Sequence, residues 1–158
     1  VYKYYSPMLF GYMANDRQID LHSGSSFAYL FVMRKCKAGI ELRNQLLVYH
    51  LEGLIGIIKL IENNSIPETV NIVGTSYFFN NRTLSRMGFE MENPSLFYRV
   101  NLFANVADLV WMYSLSQGQL SIPKIWKVNK ASIAGVQLIK SKKVIEELHD
   151  RMKRKAIA

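Results

Sequence analysis

The sequence predicts an α/β (α+β) fold, a mixed β-sheet flanked by helices, with a basic helix closing the chain. Three observations point to it. Apolar runs of strand length stand at "FAYLFVM" (Phe27–Met33) and "VNIV" (Val70–Val73), and continuous runs of this kind suit strands buried on both faces. Between them lies a long stretch with helical periodicity, from Ile40 to about Asn63. After the second run come a polar loop, a short capped helix and a Gly-Phe pair, so strands and helices alternate as in a layered fold.

Taken in order, "VYKYYSPMLFGYM" is aromatic and apolar and is broken by Pro7 and Gly11. It reads as an edge strand or an irregular segment packed on the body. "ANDRQIDLHSGSS", residues 14–26, reads as turn and loop. The "HSGSS" within it lacks the strand-to-helix elbow that a nucleophilic serine requires. The strand at 27–33 and the loop "RKCKAG" lead into the long helix. There Leu47, Leu51, Leu54, Ile58 and Ile61 recur at helical spacing and define one broad apolar face. Gln45, Glu52, Gly56, Lys59 and Asn63 make the wetter side. Gly53 and Gly56 each cost roughly 1 kcal/mol against alanine inside a helix, which points to close packing on a sheet. Pro67 cannot continue the helix.

A strand at 70–75 follows, and Gly74, Thr75 and Ser76 loosen its end. Asn80-Asn81 offers an N-cap to the short helix "RTLSRM", and Gly88 stops it as a glycine just past a helix end does. "SLFYRVNLF", Ser95 to Phe103, alternates roughly as a strand. "ANVADLVWMYSLSQG" reads as a helix stopped by Gly118, and "LSIPKIWKV" as extended chain. From roughly Ser141 to Lys155 the pattern is a charged amphipathic helix, with Glu146–Arg151 and Asp150–Arg154 as surface pairs.

A chain of 158 residues, 49% of them hydrophobic, fits a single domain with a real core rather than a disordered segment. Its parts are an irregular or edge segment (1–26), a core (27–103), the C-terminal part of the sheet with its helix (104–140) and the basic terminal helix (141–158). Cys36 is the single cysteine. It excludes an internal disulfide and a cysteine-based zinc cage, and favours a reducing, cytoplasmic setting. Three scattered histidines without an acidic cluster predict no metal site. The longest apolar block, Leu46 to Ile61, runs 16 residues and contains His50, Glu52 and Lys59. It is too short and too interrupted for a membrane span, so no transmembrane segment is expected. The chain opens at Val1 without an initiator methionine or a signal pattern, and reads as a fragment or a processed product.

Of the net charge of +8, residues 124–158 hold +7, ten Lys/Arg against three Asp/Glu. That stretch is a candidate contact for nucleic acid or an anionic membrane. The interleaved Glu146, Glu147 and Asp150 would repel the same partner. Trp126 among its lysines offers a stacking surface, but no RNA-binding motif surrounds it.

The order strand, basic glycine-containing loop, long helix, strand, short helix, Gly-Phe and strand over residues 27–103 resembles the core of the GNAT family, the acyl-coenzyme A N-acyltransferases. In that family a loop of the form Arg/Gln-x-x-Gly-x-Gly/Ala presents backbone amides at a helix start to the coenzyme's pyrophosphate. Here "RKCKAGI" stands in that place: Arg34, Lys35 and Lys37 bring charge, Ala38 and Gly39 allow close approach, and Ile40 opens the helix. The second signature, an asparagine after the next strand and then a short helix and Gly-Phe, is matched by Asn80 or Asn81, Arg82, Arg86, Gly88 and Phe89.

The resemblance implies a coenzyme-binding core at 27–103 with two neighbouring strands splayed beside the loop. It implies acetyl-coenzyme A as acyl donor and an amine, on a small molecule or a peptide, as acceptor. The loop has one glycine where the pattern has two, and the short helix is about three residues briefer than usual. It lacks the tyrosine that in many members protonates the leaving thiolate, so no catalytic residue carries over. Glu41, Glu52, Tyr77 and Tyr98 are the candidate bases, and each also reads as structural. Cys36 beside two lysines is expected to have a lowered thiol pKa, which makes it a nucleophile candidate with His22 or His50 as base. Against these stand the plainer readings: a solvated turn at "RKCKAG", a wet face at Arg82 and Arg86, a core histidine at His50. The contrasting function is a non-catalytic binding module that uses the basic C-terminal helix on an anionic partner.

Overall fold

The computed structural model describes residues 2–15, 17–75, 79–93, 95, 96, 99, 100, 106–122 and 129–157. Three antiparallel strands open the chain, β1 (Tyr2–Ser6), β2 (Leu9–Asn15) and β3 (Gln18–Ser23). Helices α1 (Ser26–Met33) and α2 (Ile40–Glu62) then cross to β4 (Asn71–Thr75), which lies parallel to β3. Next come α3 (Asn81–Arg86), β5 (Glu90–Glu92), α4 (Val106–Gln117), β6 (Lys130–Ala134), α5 (Gly135–Lys140) and α6 (Lys142–Ile157). The strands form one six-stranded mixed sheet in the order β1-β2-β3-β4-β6-β5, flanked by helices. The fold is therefore mixed α+β, and β6 enters the sheet between β4 and β5.

Helix α2 is the centre of the packing. Leu51, Leu54, Ile57, Ile58 and Ile61 of α2 join Ile19, Ile72 and Ile133 of the sheet and Ile145 of α6 in one buried core. The helix is covered both by the sheet and by α6, so it is buried around most of its circumference rather than along one stripe. Gly53 and Gly56 occupy the positions expected of them. A Cβ at Gly53 would stand 2.5 Å from Leu9 Cδ2, and one at Gly56 3.3 Å from the Tyr5 carbonyl oxygen. A second buried cluster joins Met8, Tyr29 and Val32 to Leu42 and Leu46. It packs the first turns of α2 against α1, beyond the end of the sheet.

Several sequence expectations are corrected here. The run at 27–33 is not a strand but α1, with Tyr29 and Val32 buried and Phe27, Leu30 and Phe31 exposed. A short apolar run has no period that separates strand from helix, and the sheet position beside β4 is taken by β3. Residues 14–26 are not loop throughout, since β2 extends to Asn15 and β3 spans Gln18–Ser23. There Ile19 is fully buried while Gln18 and Asp20 bond to each other through their side chains at 2.7 Å. The strand expected at 95–103 is absent at Leu96, Arg99 and Val100, which are helical; residues 97, 98 and 101–103 lie outside the described residues. The extended stretch around "LSIPKIWKV" lies largely outside them too, at 123–128. Strand β6, just beyond it, had no counterpart in the sequence reading.

Other elements stand close to expectation: α2 at Ile40–Glu62, β4 at Asn71–Thr75, α3 with its Asn80 cap, and α4 ended by Gly118. The Asn80 side-chain oxygen accepts from the Thr83 N–H at 2.8 Å. Gly88 has φ +85° and Gly118 φ +71°, as residues just past a helix end require. Among the described residues no helix is long and apolar enough to cross a membrane.

Candidate functional site

The site begins at the carboxyl ends of β3 and β4. Their parallel register holds Gln18↔Asn71, Ile19↔Ile72 and Asp20↔Val73, and then ends. Each strand nevertheless continues with its outer neighbour: β3 stays paired to β2 as far as Ser23↔Leu9, and β4 to β6 as far as Thr75↔Lys130. Leu21 and Gly74 still lie side by side, Leu21 Cβ being 3.5 Å from the place a Gly74 Cβ would take, and both line a cavity together with His22, Ser23 and Thr75. In open α/β sheets ligands bind in the crevice outside the carboxyl ends of the strands.

The cavity is about 400 Å³, within the usual size of small-molecule sites. Its floor and walls come from Leu21 of β3, Gly74 of β4 and Leu54 of α2, with Leu84 of α3 alongside. Phe10, Phe79 and Phe89 add aromatic surface, and Met112 and Tyr113 of α4 face them. The polar groups are few: His22 and Ser23 at the end of β3, His50 on α2, Thr75 on β4, the Tyr29 hydroxyl on α1 and the Asp108 carboxylate on α4. Burial pushes the Tyr29 phenol well above its ordinary pKa, so it stays protonated.

His50 is the most constrained of these groups. Its ring is buried, 6% exposed, and Nδ1 lies 2.6 Å from the Leu46 carbonyl oxygen one turn back on α2. Nε2 lies 3.0 Å from Ser23 Oγ. Burial lowers its pKa below the ordinary value, and the Leu46 bond opposes that in part. The unfolded chain then takes up the His50 proton first, so the stability due to the neutral ring is complete above about pH 6.5 and is lost as pH falls toward the lower folded value. Urea unfolding of His50→Gln, compared with the parent on both sides of that pH, is expected to show a flatter pH dependence.

The sequence-predicted residues lie elsewhere. Arg34 ends α1 with its guanidinium carbon 5.0 Å from the centre of the Phe31 ring, and Lys35, Lys37, Ala38 and Ile40 are exposed. None of them, nor buried Gly39, lines the cavity. The Gly39 N–H donates to the Leu115 carbonyl at 2.8 Å, and Gly39 abuts Gly118. The basic loop thus sits at the start of α2, ten residues before His50, roughly 15 Å along the helix axis. Asn80 spends its side chain on the α3 cap, and Asn81 and Arg82 are exposed; only their neighbour Phe79 reaches the cavity.

Of the candidate bases, Glu52 turns toward α6, where its carboxylate meets His149 Nε2 at 3.4 Å. Glu41 stands in the first turn of α2, while Tyr77 and Tyr98 lie outside the described residues. The Cys36 expectation is overturned: burial and then the Glu41 charge push its thiol up, and Sγ donates to the Val32 carbonyl at 3.3 Å. The bonds given for the two histidines go elsewhere, His50 to Ser23 and Leu46, while His22 stacks on Phe10. The "HSGSS" reading is corrected as well, because β3, Gly24, the Ser25 cap and α1 do make a strand-to-helix turn. The Ser23 partner, His50, carried a signal, a histidine one turn after Leu46 on an otherwise apolar helix.

Compared with known proteins, the chain matches no family model, no curated protein and no solved structure.

Proposed function

We propose that this protein is a GNAT-type N-acyltransferase, moving an acyl group from acyl-coenzyme A to an amine. The observation that supports the reading most is an apolar cavity at the carboxyl ends of β3 and β4, a parallel pair joined through α1 and the long helix α2, although the basic loop follows a helix and, among the described residues, has no pair of strands beside it. Coenzyme A carries its thioester on a long, flexible arm, and the cavity lined by Leu21, Gly74, Phe79 and Met112 would receive its end. The diphosphate would meet Arg34, Lys35, Lys37 and the amides of Ile40 and Glu41, since those of Gly39 and Leu42 are bonded to the Leu115 and Lys37 carbonyls. Helix α4 links the two regions, touching the cavity at Met112 and Tyr113 and the loop at Leu115 and Gly118. The arm must then span the stretch of α2 between Ile40 and His50. A neutral amine attacks the thioester directly, so the protein must orient two substrates and take one proton. Among the described residues lining the cavity, Asp108 is the one acid. A cytoplasmic setting goes with this donor and with a free Cys36.

Acetyl-coenzyme A is expected to raise the melting temperature, with about 2.7 kcal/mol of added stability at a hundred times its dissociation constant. Two variants separate the parts of the site. Leu21→Trp, filling the cavity, is expected to remove the shift for acetyl-coenzyme A, and Arg34→Ala with Lys37→Ala to weaken it. No shift in the parent protein at saturating acetyl-coenzyme A ends the acyltransferase reading. The alternative through the basic helix has less support: Lys142 is engaged with Glu62, and exposed Arg151, Lys153, Arg154 and Lys155 share the outer face with Glu146, Glu147 and Asp150.

A further inference from the structure

The polar end of the cavity has the parts of a proton path. The Leu46 carbonyl only accepts hydrogen bonds, so His50 Nδ1, 2.6 Å away, carries the proton. That leaves Nε2 as an acceptor, and Ser23 Oγ at 3.0 Å donates to it. The histidine is buried, whereas Ser23 is only half-buried, at the carboxyl end of β3, and both line the cavity. A substrate proton thus meets the hydroxyl first and the shielded base second.

We infer that Ser23 and His50 relay the proton released when an amine is acylated in this cavity, an inference that rests on the acyltransferase reading above. As the amine nitrogen bonds to the thioester carbonyl carbon, its proton passes to Ser23 Oγ while the Ser23 proton passes to His50 Nε2. The C–S bond then breaks with its electron pair going to sulfur. The proton on His50 returns through Ser23 to the thiolate, so thioester and amine become amide and thiol with both side chains restored. Ser23 acts as a conduit rather than as a nucleophile. The amide that follows it, Gly24 N–H, is already bound to the Met8 carbonyl at 3.0 Å and cannot stabilise an oxyanion.

The test uses the full chain and the variants Ser23→Ala, His50→Gln and His22→Asn. Acetyl-coenzyme A binding is read by thermal shift, and thiol release is read with β-phenylethylamine, spermidine and ethanolamine as acceptors. Ser23→Ala and His50→Gln are expected to bind acetyl-coenzyme A as the parent does and to lose kcat by about 10²-fold or more, the scale of general base catalysis. The parent's kcat/KM is expected to fall on the acidic side with a midpoint below that of an ordinary histidine. The other titratable groups facing the cavity are His22 on β3, Tyr29 on α1, and Asp108 and Tyr113 on α4. His22→Asn is therefore expected to keep the acid limb, and His50→Gln to lose it. Should His50→Gln fail to fold, Ser23→Ala decides, since it removes one half-buried hydroxyl and leaves the ring. Unchanged kcat in Ser23→Ala, an acyl group trapped on Ser23, or acetyl-coenzyme A binding without thiol release each overturns the relay. Absence of acetyl-coenzyme A binding overturns the acyltransferase reading beneath it.

Discussion

Cutting the chain before Lys142 is expected to abolish cooperative folding. Helix α6 has the composition of a solvated tail, but Ile145 is fully buried, and Val144, Leu148 and Met152 pack on the same core. Full burial of a side chain such as Ile145 contributes about 1.5–3 kcal/mol, and truncation also uncovers the face of α2 beneath α6. The combined loss is on the order of the whole stability of a domain, about 5–15 kcal/mol. The ion pair from Lys142 to Glu62, 2.8 Å long, is exposed and contributes little beside the apolar contacts. Far-ultraviolet circular dichroism against urea is expected to show a sigmoidal transition for the parent and a broad drift for the truncated chain. Ile145→Ala, costing roughly 2–5 kcal/mol, is expected to keep the transition at lower urea. A truncated chain that unfolds as sharply as the parent shows that α6 is peripheral. The same reasoning bears on function, because loss of any binding after this truncation reports unfolding before it reports a lost basic surface.

Gly53→Val is expected to destabilise the protein by about 1–3 kcal/mol, the range for overpacking a filled core. Added atoms at this position meet Leu9 at 2.5 Å for Cδ2 and 2.9 Å for Cβ. Cδ2 can swing aside, but Cβ moves only with β2. Removing a helix-interior glycine recovers under about 1 kcal/mol in helix propensity, so the clash wins. Gly56→Ala makes the contrasting case, since its nearest contact is 3.3 Å to the Tyr5 carbonyl and the propensity gain is of similar size to the strain. Urea midpoints for the two variants are expected to separate clearly, with Gly53→Val far below the parent and Gly56→Ala near it. Because Leu9 also lines the cavity, Gly53→Val is further expected to weaken acetyl-coenzyme A binding if the site is as proposed.

Helices with local punctuation were legible from residues alone. Asn80, Gly88 and Gly118 stand at helix ends because a side-chain cap and a positive φ are demanded within a few residues of where they sit. The long period from Leu47 to Ile61 marked α2 for the same reason. Strands were less legible. β3 spans six residues and β6 five, each too short to show an alternation that stands out from turns and loops. Their partners are remote in the chain, Ile19 pairing with Ile72 and Ile133 with the same Ile72 from the other side. The 27–33 run had strand composition, yet it lies beyond the end of β3, where a helix can bury Tyr29 and Val32 against α2 and no strand partner is available.

By itself the sequence determined that a long helix would bury one broad apolar face, that its glycines would touch a sheet, and where several helices end; that α6 covers it from a further side was left to the structure. These properties depend on side chains within one or two turns of each other. Only the tertiary structure decided which strands flank β4, that a cavity opens at the carboxyl ends of β3 and β4, and that Ser23 meets His50 there. Those contacts join residues far apart in the chain, through backbone pairing that any short run of residues can make, so their choice is settled by how the whole core packs.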